Sequence, residues 1–123
     1  MNDAFLKYNT SLDQAQKNLD NMIERILKAN SQCEIILMVM NPAIGVHLQR
    51  RPNLKNYYQI YRDVAKTRKL LLIDNYPNWE KILNSDPGLF NKYVPDGIHP
   101  NTEGCEMVIT PEIIRTLAIA AKP

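Results

Sequence analysis

The segment Asp96-Gly-Ile-His99-Pro100 sets a carboxylate three residues before an imidazole, with a glycine between them and a proline after. Histidine titrates near neutrality, so it can take a proton from a hydroxyl or thiol nucleophile and return it to a leaving group. A base of this kind must be held in one tautomer, and a neighbouring carboxylate does so by accepting its other N–H. An Asp-x-x-His turn can supply both groups locally. Gly97 permits a tight backbone, and Pro100 disfavours the α conformation at His99. The same residues also suit a capping loop, in which Asp96 and His99 merely satisfy nearby backbone groups.

Such a loop needs elements to hold it. Ser11 or Thr10 can cap a helix, with Asp13 and Gln14 as capping-box partners. Leu12, Ala15, Leu19, Met22, Ile23 and Ile26 recur at helical spacing and predict one buried face. Residues 34–40 are a short, nearly continuous apolar run closed by Asn41-Pro42, the pattern of a strand buried on both faces in a parallel sheet. A loop with Gly45, His47 and Pro52 leads to a second helix over residues 54–66, carrying Tyr57, Tyr58 and Tyr61 on its inward stripe. Residues 70–74 form the next buried strand, completing a right-handed βαβ unit. A short helix near Trp79–Leu83, a turn at Asp86-Pro87-Gly88 and the Asp96–Pro100 loop follow. Asn101 or Thr102 caps a last helix, which kinks or restarts at Thr110-Pro111 and ends near Ala121.

At 123 residues the chain is expected to be a single domain. Hydrophobic residues make up 45% and charged residues 23%, ordinary for a globular protein. A net charge of +2 argues against a nucleic-acid partner, and the basic clusters Arg50-Arg51 and Lys66–Lys69 read as solvated loop and helix ends. Cys33 and Cys105 read as free thiols. No apolar run approaches the ~18 residues of a membrane span, and no signal peptide is visible. A chain that truly begins at Met1 would be cytoplasmic. His47 lies in a polar loop with no cysteine or carboxylate at ligand spacing, so no metal is expected, and the chemistry of an Asp–His pair needs no cofactor. Asp74 at a strand's end reads as a capping residue, and Trp79 as a possible wall of a cleft.

Two strands against four or five helices is an unusual inventory. An open α/β sheet commonly has about five strands, so the chain reads as the second part of a domain.

Asp96-Gly-Ile-His99-Pro-Asn-Thr-Glu-Gly104, entering a C-terminal amphipathic helix, closely resembles the last sequence block of the SGNH (GDSL) hydrolases. Met1-Asn2-Asp3 resembles the tail of that family's Gly-x-Asn-Asp block, and the order of elements between agrees along the whole chain. The resemblance implies a three-layer α/β/α, flavodoxin-like fold, present as a partial domain. It also implies ester or acyl hydrolysis by a Ser-His-Asp mechanism. His99 would be the general base, Asp96 its orienting carboxylate and Asn2 a donor to the oxyanion. The substrate it implies is a small-molecule or carbohydrate ester.

The departures matter as much. No Gly-Asp-Ser tripeptide occurs, the family's glycine block is missing, and the glycine expected before Met1 is absent. Ser11, Ser31 and Ser85 stand at a helix cap, a helix end and a turn. These features imply a chain lacking its N-terminal part, inactive alone, and dependent on that part or on a second copy to cover its sheet. Cys105, six residues after His99, would be a substitute nucleophile only in place of its ordinary packing role. A non-catalytic binding module that keeps the cleft remains the alternative, as does an unrelated flavodoxin-like domain in which Asp96 and His99 only cap.

Overall fold

A computed structural model describes residues 2–120; the expected helix end at Ala121 lies outside them, as does Met1. In order, the elements are a short 3-10 turn (Leu6–Tyr8), α1 (Leu12–Ala29), β1 (Ile36–Val39), α2 (Gly45–Arg50), α3 (Leu54–Arg68), β2 (Leu71–Asp74), α4 (Tyr76–Ser85) and α5 (Pro87–Tyr93). A helical turn, α6 (Thr102–Gly104), then runs through a π segment (Cys105–Ile109) into α7 (Thr110–Ala120). The architecture is α/β, with β1 and β2 paired in a parallel two-stranded sheet among the described residues. The chain divides into two compact units, Met1–Leu37 with Arg50–Leu72, and Met38–Gln49 with Ile73–Pro123.

The first unit is built by α1 and α3. Ser11 caps α1, its hydroxyl accepting from the Gln14 amide at 3.1 Å. Ala15, Leu19 and Ile23 on α1 bury against Leu37 and against Ile60, Val64 and Ala65 on α3. Arg68 closes the far end of α3 by reaching Asp20 at 2.8 Å and Glu24 at 2.6 Å on α1. Lys69 ends the helix in the left-handed region at φ 55°, with its amide bonded back to Ala65 and Lys66.

Three sequence expectations fail in this unit. Leu12, Met22 and Ile26 share the α1 stripe yet are 40%, 52% and 43% exposed, because the line that packs on the core runs at four-residue steps through Ala15, Leu19, Ile23 and Leu27, with Met22 and Ile26 at its edge and Leu12 at the helix's first position. Ile36, expected inside a strand buried on both faces, is 44% exposed. Leu71 and Leu72 are likewise only half-buried, since among the described residues no third strand lies beside the pair. Arg51 departs in the opposite sense: instead of a solvated loop end it is buried, with its guanidinium 4.6 Å from the centre of the Phe5 ring. The tyrosine stripe does face inward. Tyr58 is buried, Tyr57 and Tyr61 pack on the core, and the Tyr57 hydroxyl donates to the Thr10 carbonyl.

The second unit centres on Trp79 and Phe90, both fully buried and packed edge to face with ring centres 5.8 Å apart. Tyr93, Val94, Val108 and Ile109 complete this core. Trp79 is therefore a core residue rather than a cleft wall. Asp74 accepts from the Tyr76 amide at 3.2 Å, the capping role its position suggested. The expected turn at Asp86 is instead the start of α5, with the Asp86 carboxylate accepting from the Leu89 amide at 2.9 Å and Pro87 in the first turn.

The last helix does not restart at Thr110. Thr110 is helical (φ −58°, ψ −46°), and its amide bonds back to Cys105 in a π turn. Pro111 has no N–H to give to the Met107 carbonyl, so the α ladder must break here, and one widened turn absorbs the break without ending the helix.

Candidate active site

The Asp96–His99 loop follows α5 and precedes α6, and both ends are pinned. At the exit, Asn101 caps α6: its side-chain oxygen accepts from the Gly104 amide at 2.9 Å. Its own amide groups donate to the Tyr93 carbonyl at 2.8 Å and the Lys92 carbonyl at 2.8 Å. Gly104 allows this closure, since a Cβ there would stand 3.0 Å from the Tyr93 carbonyl and 3.1 Å from the Trp79 ring. At the entrance, the Gly97 amide donates to the Val94 carbonyl at 2.9 Å. Between them Ile98 is almost completely buried and anchors the loop to the unit.

Gly97 is required for two reasons. Its φ of +84° lies in the left-handed region, and a Cβ would meet the carbonyl oxygen and a side-chain carbon of Ile44, each at 3.2 Å. That close approach makes the hydrogen bond from the Ile44 amide to the Gly97 carbonyl, 2.9 Å long. Residues 41–44, just past the C-terminal end of β1, thus support the loop from beneath.

Within the loop the Asp96 carboxylate gathers three N–H groups. Oδ1 accepts from the Ile98 amide at 2.9 Å and from the His99 amide at 2.7 Å, while Oδ2 lies 2.6 Å from His99 Nδ1. The His99 amide, its imidazole and the Ile98 amide together hold the carboxyl well below the usual carboxylate range. An ionised carboxylate only accepts, so Nδ1 carries the shared proton and Nε2 is left to accept one. The His99 side chain is 77% exposed, which leaves the ring open to solvent. The arrangement holds an imidazole against an ionised carboxylate through one ring nitrogen and leaves the rest of the ring exposed.

The other expected site residues stand as follows. Asn2 is exposed at the start of the first unit, its main-chain carbonyl accepting from the Phe5 amide at 2.9 Å. Ser11 is committed to its cap, and Ser85 donates to the Lys81 carbonyl at 2.8 Å as a helix back-bond. Cys105 is a half-buried free thiol packed on the Trp79–Phe90 core. His47 is half-buried on α2, an element the sequence presented as a loop because six residues opening on glycine carry no helical periodicity. No cluster of metal-ligating side chains occurs among the described residues, and no helix of the described residues is long and apolar enough to cross a membrane. Asn41, fully buried two residues past β1, donates to the Ile98 carbonyl of the loop, a contact that sequence reading missed. Its only signal was its place where a buried strand stops.

Known proteins resemble this chain in fold and in family. The esterase domain of the ORF1 protein from the zebrafish ZfL2-1 retrotransposon superposes with a TM-score of 0.69 at 24% sequence identity, over 89% of this chain and 60% of that one. This likeness shows the fold, and the chain spans about 60% of that neighbour's length. No curated protein matches. The sequence itself matches the GDSL-like lipase/acylhydrolase family over residues 1–107, the Asp96–His99 loop included. The chain belongs to the GDSL-like lipase/acylhydrolase family.

Proposed function

We propose that this chain carries the acid–base part of a Ser-His-Asp ester hydrolase, its serine lying on a segment outside residues 1–123. The observation that carries the reading is the His99 Nδ1 to Asp96 Oδ2 contact at 2.6 Å, with Nε2 left to accept a proton. His99 takes the proton from the serine hydroxyl as that oxygen attacks the ester carbonyl, then gives it to the departing alcohol. Asp96 stabilises the imidazolium formed between these steps. Asn2 donates to the oxyanion, an interaction worth about 3–4 kcal/mol of barrier in comparable sites. Water then repeats the sequence to release the acid. The substrate is an ester of a short acyl group with a carbohydrate or a small alcohol.

Residues 1–123 form in this reading one partial domain, whose sheet is completed by the N-terminal portion of the fold. The test compares the chain with the same chain extended upstream in its reading frame. A Gly-Asp-Ser in that extension, with hydrolysis of p-nitrophenyl acetate that falls by about 10²–10⁴-fold in His99→Ala, is the expected result. An extended protein with neither feature would sink the esterase reading. The commitment of Ser11 and Ser85 to main-chain hydrogen bonds favours a second reading for the chain alone, a binding module without turnover. That reading predicts ester binding without His99-dependent hydrolysis in both forms.

A further inference from the structure

Asn41 lies two residues beyond the end of β1 and is fully buried. Both of its amide protons go to main-chain carbonyls, that of Pro42 at 2.9 Å and that of Ile98 at 3.0 Å. The second bond spans 57 residues of sequence. It also falls at a consequential place. The Ile98 carbonyl and the His99 N–H belong to one planar peptide unit. Asn41 holds the carbonyl edge of that unit, while Asp96 Oδ1 holds its N–H edge at 2.7 Å. The preceding support comes from the Ile44 amide, 2.9 Å from the Gly97 carbonyl.

We propose that Asn41 is a positioning residue for His99, clamping the Ile98–His99 peptide so that the imidazole meets the Asp96 carboxylate with Nδ1 protonated. The inference rests on the reading of His99 as the base. A rotation of this peptide carries the His99 Cα and ring with it, so a clamp on the carbonyl edge restrains the ring through the backbone. Asn75 provides the internal comparison. It is equally buried in the same unit, and its side-chain amide also donates to a main-chain carbonyl, that of Val39 at 3.1 Å. Its hydrogen bonds reach Val39 and Trp79 and none reaches the 96–99 loop.

The experiment uses the chain as it stands, labelled with nitrogen-15, and reads the histidine tautomer by NMR. His47 and His99 are the two histidines, so His99→Ala assigns the signals. The expected result is a single Nδ1–H tautomer for His99 in the unmodified chain. Asn41→Asp, which keeps the shape and removes both donors, and Asn41→Ala should each lose that tautomer preference and speed exchange of the His99 amide about tenfold or more. Asn75→Ala should leave both readings unchanged. Folded Asn41 variants with an unaltered tautomer and amide, or an Asn75→Ala variant that disturbs them equally, would overturn the proposal. If the Asn41 variants do not fold, hydrogen exchange on the unmodified chain decides. The Asn41 side-chain protons and the His99 amide should exchange together, and a His99 amide about tenfold faster would refute the clamp. A wild-type His99 lacking the Nδ1–H tautomer would overturn both the reading of His99 as base and this proposal, whereas a wild-type Nδ1–H tautomer that survives in the Asn41 variants would overturn this proposal alone.

Discussion

Asp96 receives two hydrogen bonds from His99, one from its main-chain amide at 2.7 Å and one from its ring at 2.6 Å. The carboxylate therefore fixes the backbone that carries the imidazole as well as the imidazole itself. A capping loop would need only the first bond, and a surface ion pair only the second. Their coincidence ties the ring and the backbone that carries it to one carboxylate.

The first prediction concerns acid. Asp96 has a folded-state pKa held below its unfolded value, chiefly by the His99 amide and ring. A depressed carboxylate contributes stability that is fully present above the unfolded value and is lost as pH falls through the folded one. Asp96→Asn should therefore be less stable than the native chain at neutral pH. The gap should hold down to about pH 4 and narrow only below it. Denaturant melts of both proteins across pH 2 to 7, a range set by ordinary carboxylate titration, check this. A gap that closes between about pH 5 and 7 would contradict it.

Gly97→Ala tests the backbone of the same loop. The left-handed conformation alone costs a side-chain-bearing residue about 1–2 kcal/mol. The two 3.2 Å contacts with Ile44 add to that cost. We expect a loss of roughly 1–3 kcal/mol on chemical denaturation, accompanied by faster exchange of the Ile44 amide. Gly45 also has positive φ, +55°, but has open space around its Cβ position. Gly45→Ala should consequently cost less than Gly97→Ala.

How much of this was legible beforehand depends on the range of the interaction. The Asp96–His99 pair and the Ser11 and Asn101 caps are contacts three residues apart, and residue type with spacing sufficed. The βαβ order was equally readable from apolar runs. Asn41 was invisible because an asparagine after a strand looks like a turn residue, and its partner at Ile98 is 57 residues away. Arg51 was misread because its burial depends on the Phe5 ring, far off in sequence. Periodicity reported the apolar stripe of α1 correctly but could not report what covers it.

Core truncation should separate the two kinds of apolar residue in the second unit. Phe90 is fully buried against Trp79, whereas Ile114 is 62% exposed on α7. Phe90→Ala should cost about 3–5 kcal/mol, enough to unfold a marginal domain. Ile114→Ala should fall within about 0.5 kcal/mol of the native chain. Thermal melts followed by tryptophan fluorescence suit the comparison, since Trp79 is the single tryptophan and sits at the Phe90 contact. Equal losses would mean that α7 is covered in solution.

Leu12, Met22 and Ile26 leave part of the α1 stripe in water, and Ile36 adds an exposed apolar residue on β1. Exposed apolar side chains mark an interface where they form a patch on an otherwise polar molecule, and Met22 and Ile26 lie one helical turn apart. In the partial-domain reading the N-terminal portion of the fold covers it. In the isolated chain a second copy is the available substitute, by edge pairing of the two-stranded sheet or by exchange of elements. Light scattering should accordingly find the chain self-associated, and the pair Met22→Lys and Ile26→Lys should shift it toward monomer without loss of helix content. Both side chains are about half exposed, so the lysines can reach water and the folded unit should tolerate them. A monodisperse native monomer, stable to denaturant and unchanged by those substitutions, would mean that residues 1–123 need no cover, and the partial-domain reading would then fail.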